Sequence, residues 1–207
     1  MKVEYRELNP SDYNQLAKLI INTWKFDDFC NKANVIQHFG LSYLFRCMSN
    51  QTYNRVAVIN GKIAGIIIGA DHRKKVNNFS YNIKCIYQTI LCSLSKELHS
   101  NSNTLFEYSK NMDEMYDNLK VKPDAEVNLF IVDEKYQGLG IGKHLYYNLI
   151  QHFKDTNINS YYLYTDTACN YKFYLHQGME VLSAKKTSLC YNEQKNITMY
   201  ILGSQLF

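Results

Sequence analysis

Apolar and polar positions near the start of the chain predict a strand followed by two helices. Residues 3–8 alternate loosely between apolar and polar side chains, which is typical of a half-buried strand. Asn9 followed by Pro10 is typical of a helix start, because Asn caps free amides and Pro has no amide to satisfy. A second helical segment is predicted from Asn31 to Met48, with an interruption near Gly40.

The next segments predict a β-hairpin and then two helices. Two β-rich runs, Arg55–Ile59 and Lys62–Ala70, flank the turn dipeptide Asn60-Gly61. Apolar residues then recur at helical spacing over about residues 74–122, with a predicted turn at Ser100-Asn101-Ser102-Asn103 and a stop at Pro123. Such an inserted helical pair either extends the core or forms a lid that selects the substrate, and packing is the more ordinary role of an apolar stripe.

The stretch from Ala125 to Ile150 predicts a strand, a glycine loop and a helix in that order. Val127 to Val132 is an apolar, β-branched run. Three of the chain's nine glycines then fall within Gln137–Lys143. From the end of this loop onwards an apolar residue recurs every fourth position, at Ile141, Leu145, Leu149 and Phe153.

The last third of the chain predicts a short strand, a short helix and a closing hairpin. The strand covers Tyr161–Thr165, and the helix covers Asn170–Gln177 and ends at Gly178, a typical cap. The hairpin joins residues 180–189 to residues 197–202 through Asn192-Glu193-Gln194.

The glycine loop is a candidate anion site. The first amides of a helix have no partner within it and point outward at the positive end of its dipole. Glycines let a phosphate approach these amides closely, and Lys143 adds a cation nearby. The alternative is a tight turn that needs positive φ angles. Neither a P-loop nor a dinucleotide fingerprint fits, because Gln137 and Lys143 stand where those motifs need glycine.

Two motifs together resemble the GNAT superfamily of N-acetyltransferases. Gln137, Gly140 and Gly142 match its diphosphate loop, and Asn170–Met179 resembles its second signature, an aromatic-Tyr pair shortly before Gly. The resemblance implies an α/β (α+β) fold with a mixed, mostly antiparallel twisted sheet flanked by helices, here with the helical pair inserted between strands 3 and 4. We therefore expect a single domain over residues 1–207 that uses acetyl-CoA as cosubstrate.

The resemblance also implies roles for individual residues. It makes Glu126, eleven residues before Gln137, the general base for the amine, and Tyr174 the general acid for the departing thiolate. Asp166 and His176 are alternative bases. The alternative for Glu126 is a solvated residue at the strand end without a catalytic role. The cofactor would contact the amides of the strand that precedes the loop, the loop itself and the short helix: Phe130, Ile131, Val132, Gln137, Gly138, Leu139, Gly140, Ile141, Gly142, Lys143, Asn170 and Phe173.

Two neighbours of Tyr174 have weaker claims. Asn170 either bonds the pantetheine arm or caps its helix. Cys169 has no base at motif spacing and is interpreted as a bystander rather than an acetyl carrier.

Composition narrows the class further. A net charge of +4 without long Lys/Arg runs does not indicate nucleic-acid binding. No stretch reaches transmembrane length, no leader is recognised, and the six cysteines lack disulfide or metal-ligand spacing. We therefore expect a cytoplasmic protein without a metal or a membrane partner, compatible with a homodimer. Its predicted function is acetyl transfer to a primary amine of a small molecule or peptide, with a catalytically silent acyl-CoA-binding module as the alternative.

Overall fold

The computed structural model describes residues 2–29, 32–76, 78–94, 96–190 and 194–207. Within these residues, seven strands form one sheet in the order β1-β2-β3-β4-β5-β7-β6, and only the β4–β5 pair is parallel. The strands are β1 Glu4–Arg6, β2 Tyr53–Ile59, β3 Lys62–Asp71, β4 Ala125–Val132, β5 Ser160–Asp166, β6 Glu180–Cys190 and β7 Gln194–Gln205. The described helices are α1 Tyr13–Trp24, α2 Ala33–Met48, α3 Phe79–Ser93, α4 Lys96–Asp117, α5 Ile141–Asp155 and α6 Tyr171–His176. The predicted mixed, mostly antiparallel sheet is confirmed.

Helices cover both faces of the sheet. On one face, α1 and α2 pack on β2–β4, where Leu16, Ile20 and Leu44 are fully buried. Beside them, α4 covers β5 and β7 through Met115. On the other face, α5 buries Leu145, Leu149 and Phe153 against the centre of the sheet. The periodic apolar positions predicted for α5 are therefore its buried positions.

The β2–β3 hairpin follows its turn residues. Asn60 and Gly61 have φ angles of 50° and 74°, which a two-residue type I′ turn requires at both positions. The start of α1 also follows the sequence, because the Asn9 side chain accepts a hydrogen bond from the Ser11 amide and the Asp12 carboxylate accepts one from the Asn9 amide. A 3-10 turn over Pro10–Asp12 precedes the α-helix itself.

The predicted interruption near Gly40 is wrong, because α2 runs unbroken through that residue. A Cβ atom at Gly40 would lie 2.9 Å from the carbonyl oxygen of Ala17 and 3.0 Å from Ile21. The glycine is therefore explained by the close approach of α1 and not by a break in the helix.

The inserted helical pair lies between β3 and β4 as predicted, but its turn does not lie where we expected it. Residues 100–103 belong to α4, and the chain leaves the first helix after Ser93 and begins the second at Lys96. Near the end of the chain, Gln194 is the first residue of β7, whereas the predicted turn at Asn192-Glu193 lies outside the described residues.

The sheet opens between β4 and β5. These strands pair only at their first residues, Ala125 with Tyr161 and Glu126 with Tyr162. β4 stays paired with β3 over its whole length, with a bulge in β4 between Val127, which pairs with Gly69, and Leu129, which pairs with Ile68. A gap, called the slot below, therefore separates residues 127–132 from β5.

Candidate active site

The glycine loop joins the end of β4 to α5. The Asp133 amide donates to the Ala64 carbonyl at 2.9 Å, and the Asp133 side chain accepts from the Lys135 amide at 3.0 Å, which fixes a 3-10 turn over Glu134–Tyr136. Gly138 and Gly140 then take φ angles of 78° and 77°, a conformation that costs an L side chain about 1–2 kcal/mol. These glycines are therefore explained in part by a tight turn that needs positive φ angles, which is the alternative given above to an anion site.

The turn also leaves a row of amides unused. The Gln137 amide donates to the Glu134 carbonyl, and the next amide that donates within the described chain is that of His144, to the Gly140 carbonyl at 3.0 Å. The six amides of residues 138–143 donate to no described backbone or side-chain acceptor. They surround the N-terminus of α5, so their dipoles add to that of the helix.

Space around the loop suits a ligand. Cβ atoms at Gly138 and Gly140 would meet nothing within 4 Å, so both positions are open. At Gly142, inside the first turn of α5, a Cβ atom would lie 3.3 Å from Val132 and 3.4 Å from Phe130, so this glycine lets the helix approach β4. Lys143 is exposed, with its Nζ 5.5 Å from the ring centroid of Tyr147.

The slot exposes further amides on β4. In an antiparallel ladder, N–H groups point alternately towards and away from the partner strand. Because the Asp133 amide donates to β3 and Ile131 pairs with Ile66, the Ile131 amide also points towards β3. The amides of Phe130 and Val132 therefore point into the slot, where β5 has moved away.

Glu126 lies beside the slot on the face that α2 and α4 cover. Its Oε2 accepts a hydrogen bond from the Tyr162 hydroxyl at 3.0 Å and lies 3.4 Å from Nε2 of His72. The side chain is 19% exposed. Burial is the main cause that raises the pKa of Tyr116 on α4, and the charge of Glu126 raises it further, whereas a hydrogen bond with Tyr162 acts in the opposite direction. Burial is also the main cause that raises the pKa of Tyr43 on α2, to which Glu126 makes the smallest contribution. Glu126 thus faces an aromatic enclosure and is not a solvated strand end.

Tyr174 lies on the α5 side of the slot. Its ring centroid is 6.2 Å from Phe130, 6.4 Å from Tyr146 and 5.4 Å from Phe173. Burial first, and the nearby Cys169 second, raise the pKa of Tyr174, so its phenol keeps its proton at neutral pH. Its hydroxyl makes no hydrogen bond to any described residue, which leaves a proton donor beside the slot.

The alternative residues have other roles. Asp166 accepts hydrogen bonds from the amides of Ala168 and Cys169 through Oδ1 and from the Tyr108 hydroxyl through Oδ2, so both oxygens are engaged. His176 is exposed at the end of α6. Burial, and then Asp166, raise the pKa of Cys169 to about 11, which keeps it a thiol and disfavours an acetyl carrier.

Asn170 marks the N-terminal end of α6 without capping it. Its side chain makes no capping hydrogen bond, and only its backbone carbonyl accepts one, from the Phe173 amide at 3.1 Å. The side-chain amide of Asn170 is therefore not used by the helix.

Comparison with known proteins identifies the family. The profile described as Acetyltransferase (GNAT) family matches residues 28–179, most of the chain. The chain belongs to the GNAT acetyltransferase family. A comparison with curated proteins finds no match.

Solved GNAT structures share the fold. The ribosomal-protein-S18-alanine N-acetyltransferase from Escherichia coli aligns over 99% of this chain and 94% of its own, with 11% identity and a TM-score of 0.58. Ard1 from Thermoplasma volcanium aligns over 100% of both chains, with 15% identity and a TM-score of 0.57. The PaiA N-acetyltransferase from Thermoplasma acidophilum, in complex with coenzyme A, aligns over 99% of both chains, with 15% identity and a TM-score of 0.54. At these identities the likeness concerns the fold alone.

Membership in the GNAT family supports an acyltransferase activity, and acetyl-CoA is the typical cosubstrate of the family. Among the described residues, no group of three or more His, Cys, Asp or Glu side chains could hold a metal ion. Within the same residues, no helix is both long and apolar enough to cross a membrane.

Sequence reasoning missed the partners of Glu126. Tyr162 stands on β5 directly opposite Glu126 in the parallel register, and His72 follows the last residue of β3. One signal was available, since Tyr161, Tyr162 and Tyr164 make β5 unusually rich in hydroxyl groups. Nothing in the sequence placed β5 next to this end of β4 rather than further along it.

Proposed function

We propose that this GNAT protein is an N-acetyltransferase that moves an acetyl group from acetyl-CoA directly to a primary amine of a small molecule or peptide. The observation that carries the proposal is the run of six unpartnered amides at residues 138–143, which continues into a slot whose wall offers two more. A diphosphate needs such donors, and an extended pantetheine arm can use the free edge of a strand.

The cofactor would bind along this path. The loop amides and Lys143 would hold the diphosphate, with Gln137 and Leu139 at its edge. The pantetheine arm would lie in the slot against β4, beside Phe173 and Asn170. The amides of Phe130 and Val132 would polarise the thioester carbonyl and stabilise the oxyanion that forms there, an arrangement typically worth several kcal/mol.

Proton transfers would be divided between two residues on opposite faces of the sheet. An alkylamine is mostly protonated at neutral pH, so Glu126 would take its proton, directly or through water. The neutral nitrogen would attack the thioester carbon, and the tetrahedral intermediate would collapse with cleavage of the C–S bond. The thiolate would take a proton from the Tyr174 hydroxyl, and the new amide would lose its extra proton to solvent.

The test is release of the coenzyme A thiol from acetyl-CoA in the presence of amino acids, polyamines, aminoglycosides or peptides with free N-termini. At least one class should give turnover. Glu126→Gln should then lower kcat by about 10²–10⁴-fold without weakening coenzyme A binding, because it removes only the base. Glu180→Gln is the matched control, since Glu180 is exposed at the start of β6, and its kcat should stay at the wild-type value.

Two other results would contradict the proposal. Tight uptake of acetyl-CoA without turnover on any amine would favour the silent binding module. No uptake at all would remove the loop assignment as well.

A further inference from the structure

Helix α3 presents its largest apolar side chains to solvent. With about 100° between successive residues of a helix, these side chains fall within a sector of about 100° along the whole helix. We call them the α3 stripe; their exposed fractions are Phe79 65%, Ile83 52%, Ile86 60%, Tyr87 58%, Ile90 53% and Leu94 76%.

The opposite side of α3 is the side that contacts the protein, and it is the more polar one. Cys85 donates to the Ser42 carbonyl at 3.5 Å, and Gln88 Oε1 lies 2.6 Å from Nδ1 of His38. Thr89 and Ser42 also pair through their hydroxyls, at 2.8 Å. A helix of a monomer normally turns its apolar side inward. Here the inward side is held by specific hydrogen bonds to α2, so the helix cannot rotate to hide the stripe without breaking them.

The stripe is large enough for a protein interface. With roughly 200 Å² for each side chain of this size, the exposed fractions amount to about 700 Å². The largest apolar patch of a typical monomer is roughly 300–600 Å². A stable interface buries about 800 Å² on each partner, so the stripe alone supplies most of one side.

Charge favours a second copy of this chain over an anionic lipid surface. The stripe carries no ionisable group apart from the phenol of Tyr87. The one lysine of α3, Lys84, lies on another side of the helix, with its Nζ 5.2 Å from the ring centroids of both Tyr13 and Tyr81. Two copies can therefore meet without like-charge repulsion, whereas a surface helix that binds anionic lipid usually has a basic polar face.

We propose that the α3 stripe is the interface of a symmetric homodimer. With the two-fold axis perpendicular to α3, the two helices run antiparallel, Phe79 of each copy faces Leu94 of the other, and the axis passes between Ile86 and Tyr87. Stripe side chains four residues apart form two ridges, Phe79–Ile83–Tyr87 and Ile86–Ile90–Leu94. These ridges pack into the matching grooves of the second copy. The proposal does not depend on acetyl transfer, because it uses none of the residues around the slot.

The first experiment measures mass in solution. The wild-type chain should sediment at twice its 24.3 kDa at micromolar concentration. The double variant Ile83→Glu/Ile90→Glu should weaken dimerisation at least ~100-fold, because each charge is introduced twice in a symmetric interface. Val121→Glu is the control, since Val121 is 76% exposed outside the stripe, and it should remain dimeric. The double variant should have the same circular dichroism spectrum and melting temperature as the wild type, which would show that it dissociates without unfolding.

The second experiment locates the axis. Ile86→Cys should form a disulfide-linked dimer under mild oxidation, because its two copies meet at the axis. Phe79→Cys should not exceed the background of the parent chain, because at 1.5 Å per residue it lies about 11 Å from the axis. A wild-type monomer at ~100 µM, a dimer that the double variant leaves intact, or equal cross-linking at both positions would overturn the proposal. So would binding of the monomer to anionic vesicles that the double variant abolishes.

Discussion

Replacing Gly140 by Ala separates the turn from the binding role of the loop. Gly140 has a φ angle of 77°, and a Cβ atom there would meet nothing within 4 Å. The substitution therefore causes backbone strain but no collision, about 1–2 kcal/mol, partly offset by the lower entropy of the unfolded chain. We expect the free energy of unfolding to fall by about 1 kcal/mol.

Gly61→Ala is the matched control, because it introduces the same strain elsewhere. Gly61 has a φ angle of 74° and an equally open position, but it lies in the β2–β3 turn. The two variants should lose similar stability in denaturant titrations. They should differ in ligand binding, because only Gly140 lies among the unpartnered amides of residues 138–143.

The expected loss of affinity follows from those amides. Relief of the strain at Gly140 rotates the adjoining peptide groups, so at least one donor turns away from the diphosphate. A hydrogen bond to a charged group contributes about 1.5–3 kcal/mol, so the Kd for coenzyme A should rise by roughly 10–150-fold. Isothermal titration calorimetry measures this directly. If Gly140→Ala bound coenzyme A as tightly as Gly61→Ala, the loop could not be the diphosphate site.

Three further predictions concern the acid, the ion pair of the buried Asp71 with the exposed Arg73, and a close helix contact. Tyr174→Phe should lower kcat by about 10²–10⁴-fold with little change in coenzyme A affinity, whereas Tyr171→Phe in the same helix should stay near wild type; equal rates for the two would refute the acid role. A hydrogen bond from Arg73 is the main cause that lowers the pKa of Asp71, so its contribution to stability is present above pH ~4 and is lost as the pH falls through the lowered pKa. Asp71→Asn should therefore cost about 1–3 kcal/mol in urea titrations at pH 7 and a shrinking amount below pH 4, and a pH-independent cost would contradict the ion pair. Gly40→Ala should destabilise by about 1–2 kcal/mol, because the new methyl group would lie 2.9 Å from a backbone carbonyl of α1, and a stabilised variant would show that α1 can move away.

The parts of the site that lie close together in the chain could be predicted from the sequence. The strand, loop and helix around Gly140 follow from an apolar run, alternating glycines and a four-residue period, all within about thirty residues. The Asn60-Gly61 turn is equally local. In these places the backbone conformation that a residue prefers is also the one that the fold requires.

Other features depend on packing that the sequence does not record. A glycine at position 40 looks the same in the sequence whether it breaks a helix or lets a neighbouring helix pack closely. Only the position of α1 in the fold decides between the two. The polar run at residues 100–103 continues a helix although its residues favour turns, because helix propensity is a weak preference. The partners of Glu126 come from β5 and from just after the end of β3. Both are far from Glu126 in the sequence, so no local pattern predicts the contact.

The short pairing of β4 with β5 has a consequence for how the molecule holds together. Two residue pairs join the half of the sheet that contains β1–β4 to the half that contains β5–β7. A bound pantetheine arm would act as a missing strand and bridge the two halves along the rest of the seam. The ligand would thus stabilise the sheet as well as take part in the reaction. Its binding should slow amide hydrogen exchange on both sides of the seam.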